Sequence, residues 1–593
     1  MPTLINGMLQ LSDQGSTEIN PDYVRDLSDR ELSALLKEKV NISAEQILGG
    51  INAFRIKRKR DDTTDDLKVL IEENQKALKR IYPEEKIRII IFYQEGSQNQ
   101  ASLLTQIIHR LWGQSLEIWE SHLVKKTHGP RVDLPDHNQK AKQRSQARVK
   151  QWSNTSNSIS KSGCRTFCLV LAEEFYQSSR GKPEYDDNIN KPSTYRALAG
   201  DGGACVQFLL PMKRDRKGRF KLEGFTRNAQ QALKDLLSAH SGRVDEIKGK
   251  VDKGLRKIPA ESRPKEIIGI TIVCKQQGRI KGRIQPTVLP IATRLDVESS
   301  RCDLRYAYDK NNNIEISRWE KLPDALSAIS KISPVKLARN MNSLSERFME
   351  FVNCVISESV NSGAQPLIII DSTNCSRLWH WLRDTDLNAE NIEIETKNHM
   401  EQSWAGARIV RVRRDIPPSI IAKKERHLCL SDEKDNRTKE ELNQQIPDLK
   451  LPSASSPTGL FRMTPLSAKG CMTYLSIAAV RQNFPRGLSC YRSIKAISKS
   501  TLTTLAGLEI GTLSMSDPHT GQCPTPNPLE IVVALRQEKD DPDHIAALVN
   551  SMRYVMGHYG EATMLPAPLF FERVVRDYIS DFTIEEISED EKA

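Results

Sequence analysis

Long apolar runs are missing from this sequence. No stretch approaches the ~18 consecutive apolar residues that a membrane-spanning helix needs, so nothing reads as a span and no membrane partner is expected. The amino terminus shows no basic segment followed by an apolar one, the pattern of an export leader, and the expectation is a soluble, cytoplasmic protein. Paired C-x-x-C spacing is also missing. Among 11 cysteines only Cys164 and Cys168 lie close together, and Cys168 reads as a strand residue. An odd count without paired spacing argues against a disulfide framework or a zinc module and for reduced thiols. No internal repeat is present.

What is present is length and positive charge. A chain of 593 residues should hold two or three domains, because single cores stop growing near roughly 250–300 residues. The net charge of +11 and pI near 9.0 favour a polyanionic partner. The excess is clustered at Arg55 to Arg60, Lys125 to Lys150 and Lys213 to Lys221. A charge run is usually a solvated face, but three of them in a net-basic chain point to sequence-independent phosphate contact, with affinity falling steeply as salt rises.

Residues 1–84 are polar and helix-forming, with helices expected over Asp26 to Val40 and Thr64 to Tyr82. The β-branched run Ile87 to Tyr93 reads as a buried strand, followed by a helix over Ala101 to Trp112 and a strand at Leu116 to Trp119, a βαβ unit. Residues 121–163 form a basic insertion, within which Ser153 to Ser162 reads as a flexible loop. Strands at Phe167 to Leu171 and Cys205 to Leu210 complete a small doubly wound domain over 85–258. A second α/β block covers 259–584. Its strands are expected at Ile267 to Val273, Val288 to Ala292, Leu304 to Tyr308, Leu367 to Ile370, Arg408 to Val412 and Met472 to Ala478, with a long helix over Leu344 to Glu358 and a polar, Pro-rich segment at 423–457. The apolar run Ile531 to Leu535, opened by Glu530, then leads to a helix carrying Arg553 and the Pro-Ala-Pro turn at Pro566 to Pro568. A carboxylate at the mouth of a buried strand demands a cation or metal, which marks a polar site there. An acidic tail, 585–593, closes the chain.

The segments KPSTYRALAGDGGACVQFLLP, PLIIIDSTNCSRLWHWL, ARIVRVR and NPLEIVV, then NSMRYV and LPAPLFF, occur in this order across most of the chain. Together they resemble the pPIWI_RE family, short prokaryotic Argonaute relatives named for an arginine and a glutamate in the PIWI domain. The resemblance implies an α/β protein with a helical N-terminal region, a Rossmann-like MID domain and an RNase H-like PIWI domain. It implies further that the MID domain holds the 5′ end of a guide strand. A phosphate dianion there needs converging cations and neutral donors, which Lys191, Arg196, Gln207, Asn228 and Lys234 would supply. Surface charge is the plain alternative for Arg196 and Lys234.

RNase H-type cleavage uses two metal ions clamped by several carboxylates. Alignment of the resemblance puts Thr271 where active Argonautes carry the first aspartate, Asp371 at the second, and Glu530 at the final ligand, with no counterpart to the glutamate finger. Two acids of four imply binding without efficient cleavage. The plain alternative for Asp371 is a helix N-cap, for which aspartate after a strand is common. Glu530 and Arg553 fit the family's named pair, with Arg553 turned toward guide phosphates or else bridging Glu530. Arg408, Arg411 and Arg413 are expected to share one strand face along a groove that tracks a nucleic-acid backbone. Trp379, Trp381 and His380 read as structural.

The functional expectation is an Argonaute-like, guide-dependent nucleic-acid-binding protein of a prokaryotic defence system against plasmids or phages. The resemblance implies a 5′-phosphorylated guide, a complementary target, a DinG-like helicase and a restriction-type nuclease as partners. Mg2+ or Mn2+ would serve guide 5′-phosphate binding or residual catalysis. The alternatives are a metal-dependent RNase H-like endonuclease and an unguided DNA-binding scaffold.

Overall fold

The computed structural model describes residues 64–93, 97–113, 116–122, 137–172, 187–212, 222–244, 251–275, 287–310, 313–332, 335–336, 341–392, 404–414, 459–462, 470–478, 503–505, 508–510, 527–556 and 562–579, together with Glu38 and Lys39. The basic runs at 55–60 and 213–221, the segment 423–457 and the tail 585–593 lie outside the described residues.

The first sheet has four parallel strands: β1 (Ile87–Tyr93), β2 (Glu117–His122), β3 (Arg165–Leu171) and β4 (Cys205–Leu209), in the order β2-β1-β3-β4. This is the doubly wound order, whose crevice opens at the carboxyl ends of the strands where the winding reverses. One face is covered by α1 (Thr64–Ile81), α2 (Gln98–Trp112) and α6 (Leu222–Lys234). On the other lie α4 (Ser153–Ser160) and the buried turn at 197–199, which follows α5 (Asp187–Tyr195).

Two local expectations change. Ser153 to Ser162 is not a loop: Ser153–Ser160 is helical, joined to the basic helix α3 (His137–Gln151) at Trp152. Trp152 is fully buried edge-on to Phe92, Ile159 enters the core, and the Ser156 hydroxyl bonds the carbonyl of Ala197. Packing thus overrides the poor helix propensity of a Ser/Asn-rich run. Within Asp26 to Val40, Glu38–Lys39 is extended and pairs with Phe461 and Arg462, because an edge strand offers unpaired backbone groups. The rest of that stretch lies outside the described residues.

The second sheet orders its main strands β10 (Gly459–Arg462), β11 (Met472–Ala478), β12 (Asn527–Leu535), β9 (Arg408–Arg413), β8 (Leu367–Asp371), β5 (Glu266–Lys275), β6 (Thr287–Asp296) and β7 (Cys302–Lys310). Strand β8 runs parallel to both β5 and β9, and the other pairings are antiparallel. One face packs on the long helix α8 (Met341–Asn361) and the Trp379, Trp381 and Trp404 cluster. The other packs on α7 (Leu322–Ile329), α9 (Pro542–Ser551) and α10 (Ala567–Tyr578), and on the first domain.

A single apolar cluster therefore runs through both sheets. At their junction the Tyr578 hydroxyl accepts the Val206 N–H at 2.8 Å and lies 2.7 Å from His240 Nδ1, while Arg165 bonds Glu85 and Asp324, each at 2.7 Å. The close seat of α10 depends on Gly269, where an added Cβ would stand 2.9 Å from Pro568 Cβ and backbone carbon. Thr293 fixes the same turn by donating to the Pro568 carbonyl. Gly269→Ala is expected to cost about 1–3 kcal/mol by overpacking. Urea unfolding of the purified chain measures it, and an unchanged midpoint would refute the account.

Candidate functional site

The register of the second sheet sorts the candidate residues between its faces. Asp371, Val412 and Ile531 lie side by side across β8, β9 and β12, as do Ile370, Arg411 and Val532 one step away. Successive side chains alternate faces, so Glu530, adjacent to Ile531, projects to the face opposite Asp371. The expectation that Asp371 and Glu530 share a metal site is thereby corrected. Two carboxylates separated by a sheet cannot clamp one ion.

On its own face Asp371 ends β8, fully buried. One carboxylate oxygen accepts the Thr373 N–H at 3.1 Å, capping the short helix Ser372–Cys375, so the capping role is realised. The other accepts the Thr271 hydroxyl at 3.3 Å and meets the Arg414 guanidinium at 3.1 Å. The same Arg414 nitrogen lies 3.0 Å from Glu572 on α10, a residue only 2% exposed, whose other oxygen takes an ion pair from Arg576. Burial pushes the Asp371 carboxyl above its ordinary range, with Arg414 pulling it down and Glu572 pushing it further up.

A two-metal centre needs several carboxylates directed at open space. Here a guanidinium fills the place between two carboxylates, one of which also accepts a hydroxyl. Among the described residues no group of three or more His, Cys, Asp or Glu is placed to hold a metal. The donor set does not fit Mg2+ or Mn2+ catalysis.

On the opposite face Glu530 pairs with Arg411 and, at 3.0 Å, with Arg413, while Asp384 takes the same two arginines at 2.8 and 2.6 Å. Arg411 also donates to the Leu382 carbonyl. Although burial works against it, the two arginines hold Asp384 below the usual carboxylate range. The expectation of three arginines along one groove fails for a geometric reason. Positions 408 and 411 are three apart, hence on opposite faces, and only Arg411 and Arg413 share a side. Arg408 is fully buried in a forked pair with Asp540, at 2.7 and 2.8 Å.

Arg553 is not turned toward solvent. It is fully buried in the tight turn Met552–Tyr554 beyond α9, where it donates to the Thr563 carbonyl at 2.9 Å and to the carbonyl and hydroxyl of Ser476 at 3.2 and 2.5 Å. Burial lowers its pKa to about 10. It ties β11 to the segment before α10, and the Glu530 carboxylate is spent on Arg411 and Arg413 instead. Trp379 and Trp381 are buried and stacked 5.2 Å apart, and His380 is exposed.

In the first domain Gln207 and Lys191 flank opposite faces of β4. Gln207 faces α6, as Cys205 and Leu209 do, and donates to Asp235 at 2.5 Å while its oxygen accepts the Phe208 N–H. Lys191 lies over the Phe208 ring on the other face, 5.6 Å from its centroid. Lys234 precedes Asp235 and is half-buried, and Asn228 is exposed. Arg196 is half-buried, with burial lowering its pKa against the pull of Asp201.

Domain models place this architecture. Residues 91–248 match the MID domain of pPIWI_RE, and residues 267–581 match the RNaseH domain of pPIWI_RE, more than half of the chain by itself. The chain belongs to the pPIWI_RE family. No curated protein matches it. This pPIWI_RE chain is also similar to solved Argonaute structures. For the C-terminal lobe of a budding yeast Argonaute the identity is 9% and the TM-score 0.37, over 86% of this chain and 81% of that one. For Aa-Ago with externally bound siRNA the values are 10% and 0.33, over 84% and 48%. For Marinitoga piezophila Argonaute in complex with 5′ OH guide RNA they are 8% and 0.35, over 85% and 56%, so the chain spans about half the length of these last two. Among the described residues no pPIWI_RE helix is long and apolar enough to cross a membrane.

Sequence reasoning missed Arg414, Glu572, Asp384, Asp540 and Asp235. One of them had a signal. Glu572 directly follows the LPAPLFF segment and stands four residues from Arg576 on a helix that must bury its other face.

Proposed function

We propose that this pPIWI_RE protein holds a short guide strand by its 5′-phosphorylated end in the MID domain and recognises complementary strands without cutting them. Base pairing would supply the selectivity while the protein reads backbone and duplex shape. Membership of a family with paired MID and RNase H-like domains supports nucleic-acid binding, as does the net charge of +11. The observation that carries the non-cleaving half is the Arg414 guanidinium between Asp371 and Glu572. In this reading cleavage falls to a partner nuclease and unwinding to a helicase, within prokaryotic defence against plasmids or phages.

The test is to extract and sequence the nucleic acid carried by the purified protein. Short strands of uniform length with 5′ phosphates are expected. No strands, with equal binding of random duplexes, would instead support an unguided scaffold. Incubation with guide-matched substrate in magnesium or manganese should leave the substrate intact. Cutting that disappears in Asp371→Ala would overturn the non-cleaving reading in favour of a metal-dependent endonuclease.

A further inference from the structure

Gln207, Asp235, His240 and Tyr578 form one polar chain through the junction of the two domains. Helix α6 ends at Lys234 and widens into a π turn, Asp235–Ala239, from which the His240 N–H reaches back five residues to the Asp235 carbonyl at 3.1 Å. Such turns are rare and recur at functional sites. In an α-helix residues five apart diverge around the axis, whereas this turn brings the His240 ring beside the Asp235 carboxylate. One Asp235 oxygen then serves two residues, accepting the Gln207 N–H at 2.5 Å and lying 3.8 Å from His240 Nε2. The second distance is too long for a hydrogen bond to a neutral ring.

The ring can change charge without losing a bond. Its Nδ1 lies 2.7 Å from the Tyr578 hydroxyl, which accepts the Val206 N–H at 2.8 Å and has the Val206 carbonyl 3.3 Å away. With neutral imidazole the hydroxyl donates to Nδ1. With imidazolium Nδ1 donates, the hydroxyl proton turns to the Val206 carbonyl, and the charged ring faces Asp235. Around it also stand Cys205 of β4, whose thiol is 3.4 Å from the His240 carbonyl, and Tyr195 of α5, whose ring centroid is 4.7 Å from that of Tyr578. Burial pushes the Tyr578 phenol up and Cys205 to about 12, so both stay neutral near pH 7. Arg165 and Asp324, which act on Cys205, pair with each other, and the exposed Asp577 acts on Tyr578.

We infer that Asp235 is a positioning residue that opposes a 5′ phosphate at Gln207, and that protonation of His240 lifts the opposition. The inference rests on the reading that the MID domain holds a 5′-phosphorylated end, and it adds how that hold is regulated. A phosphate received by the Gln207 amide lies beside the Asp235 carboxylate, and two anions at that range repel. Imidazolium on the same oxygen cancels the repulsion, so binding of the phosphate takes up a proton.

The experiment uses the full chain, washed free of carried strands in high salt, and 3′-fluorescein strands of about 20 nucleotides, in RNA and in DNA, ending in a 5′ phosphate or a 5′ hydroxyl. Anisotropy gives the phosphate-to-hydroxyl affinity ratio between pH 8 and pH 6. The strand's own phosphate gains a proton near pH 6 in every case, so each ratio is compared with that of Asp235→Asn, which keeps an acceptor for Gln207 and loses the charge. Wild-type protein should climb from about a tenth of the Asp235→Asn ratio at pH 8 toward equality at pH 6. His240→Asn offers Tyr578 a partner in place of Nδ1 and should stay near a tenth throughout. If that variant fails to fold, the wild-type and Asp235→Asn curves still decide. A wild-type ratio in constant proportion to that of Asp235→Asn across the range would overturn the proton-linked hold and leave the guide reading standing. Ratios of one in both proteins at every pH would remove the 5′-phosphate seat itself, and the hold with it.

Discussion

Arg414→Ala is expected to destabilise the protein by about 3–5 kcal/mol, because it leaves the buried Asp371 carboxylate without its cation and Glu572 with Arg576 alone. Asp371 is fully buried and Glu572 is 2% exposed, so neither recovers its hydration when Arg414 is cut back. The loss should depend on pH in a direction fixed by Asp371. Its carboxyl is already raised by burial, and Arg414 is the group that pulls it down. Without Arg414 it rises further. A carboxyl whose folded pKa exceeds its unfolded value binds more protons in the native state. Its contribution is then fully present below the unfolded pKa and is lost as pH rises through the folded one. The deficit of Arg414→Ala should accordingly be smaller near pH 5 than near pH 7, the reverse of ordinary acid lability. Adding Asp371→Asn and Glu572→Gln should restore part of the stability. Urea midpoints at the two pH values measure both effects, and a pH-independent deficit that the added changes deepen would refute the account.

The second large effect is expected at Arg408. Its guanidinium and the Asp540 carboxylate are 0% and 1% exposed, and they meet through two parallel bonds. Arg408→Ala or Asp540→Ala should each cost about 3–5 kcal/mol by leaving a buried charge alone, whereas Arg408→Met with Asp540→Leu should cost far less. A double-mutant cycle on unfolding free energies isolates the pair, with a coupling of about 3 kcal/mol in the upper range for contacting residues. The salt dependence of nucleic-acid binding should not move in Arg408→Met/Asp540→Leu. A flatter salt slope there would mean that Arg408 contacts a phosphate after all, as its place on an arginine-bearing strand suggested.

The strands were legible because buried parallel strands write themselves as unbroken β-branched runs. Ile87–Tyr93 and Leu367–Asp371 appear in the sequence as such, and the antiparallel Asn527–Leu535 shows a shorter apolar run, Ile531 to Leu535. The order of the motif segments pointed to the pPIWI_RE family that the domain matches show. Asp371 and Thr271 could be singled out because the family resemblance aligns their strands with the two that carry aspartates in active Argonautes. Their partners could not. Arg414 lies one residue past β9, Glu572 on a helix 158 positions further along, and Asp540 in a turn, and none sits in a spacing that marks a contact. The loop expected at Ser153 to Ser162 failed for a related reason, since its helix is held by Trp152, Ser156 and Ile159 packing on distant residues.

The sequence by itself determined the positive charge, the two α/β blocks and their order, because composition and strand-length apolar runs are local properties that survive without coordinates. Only the tertiary structure decided which charges are available to a ligand. Strand register put Glu530 and Asp371 on opposite faces, and packing sank Arg408 and Arg553 into the interior. The arrival of α10 over Gly269 brought Glu572 and Arg576 to Arg414. Whether an arginine grips a phosphate or a neighbouring carboxylate depends on distances of a few ångströms between residues far apart in the chain. Such distances exist only once the sheets have closed.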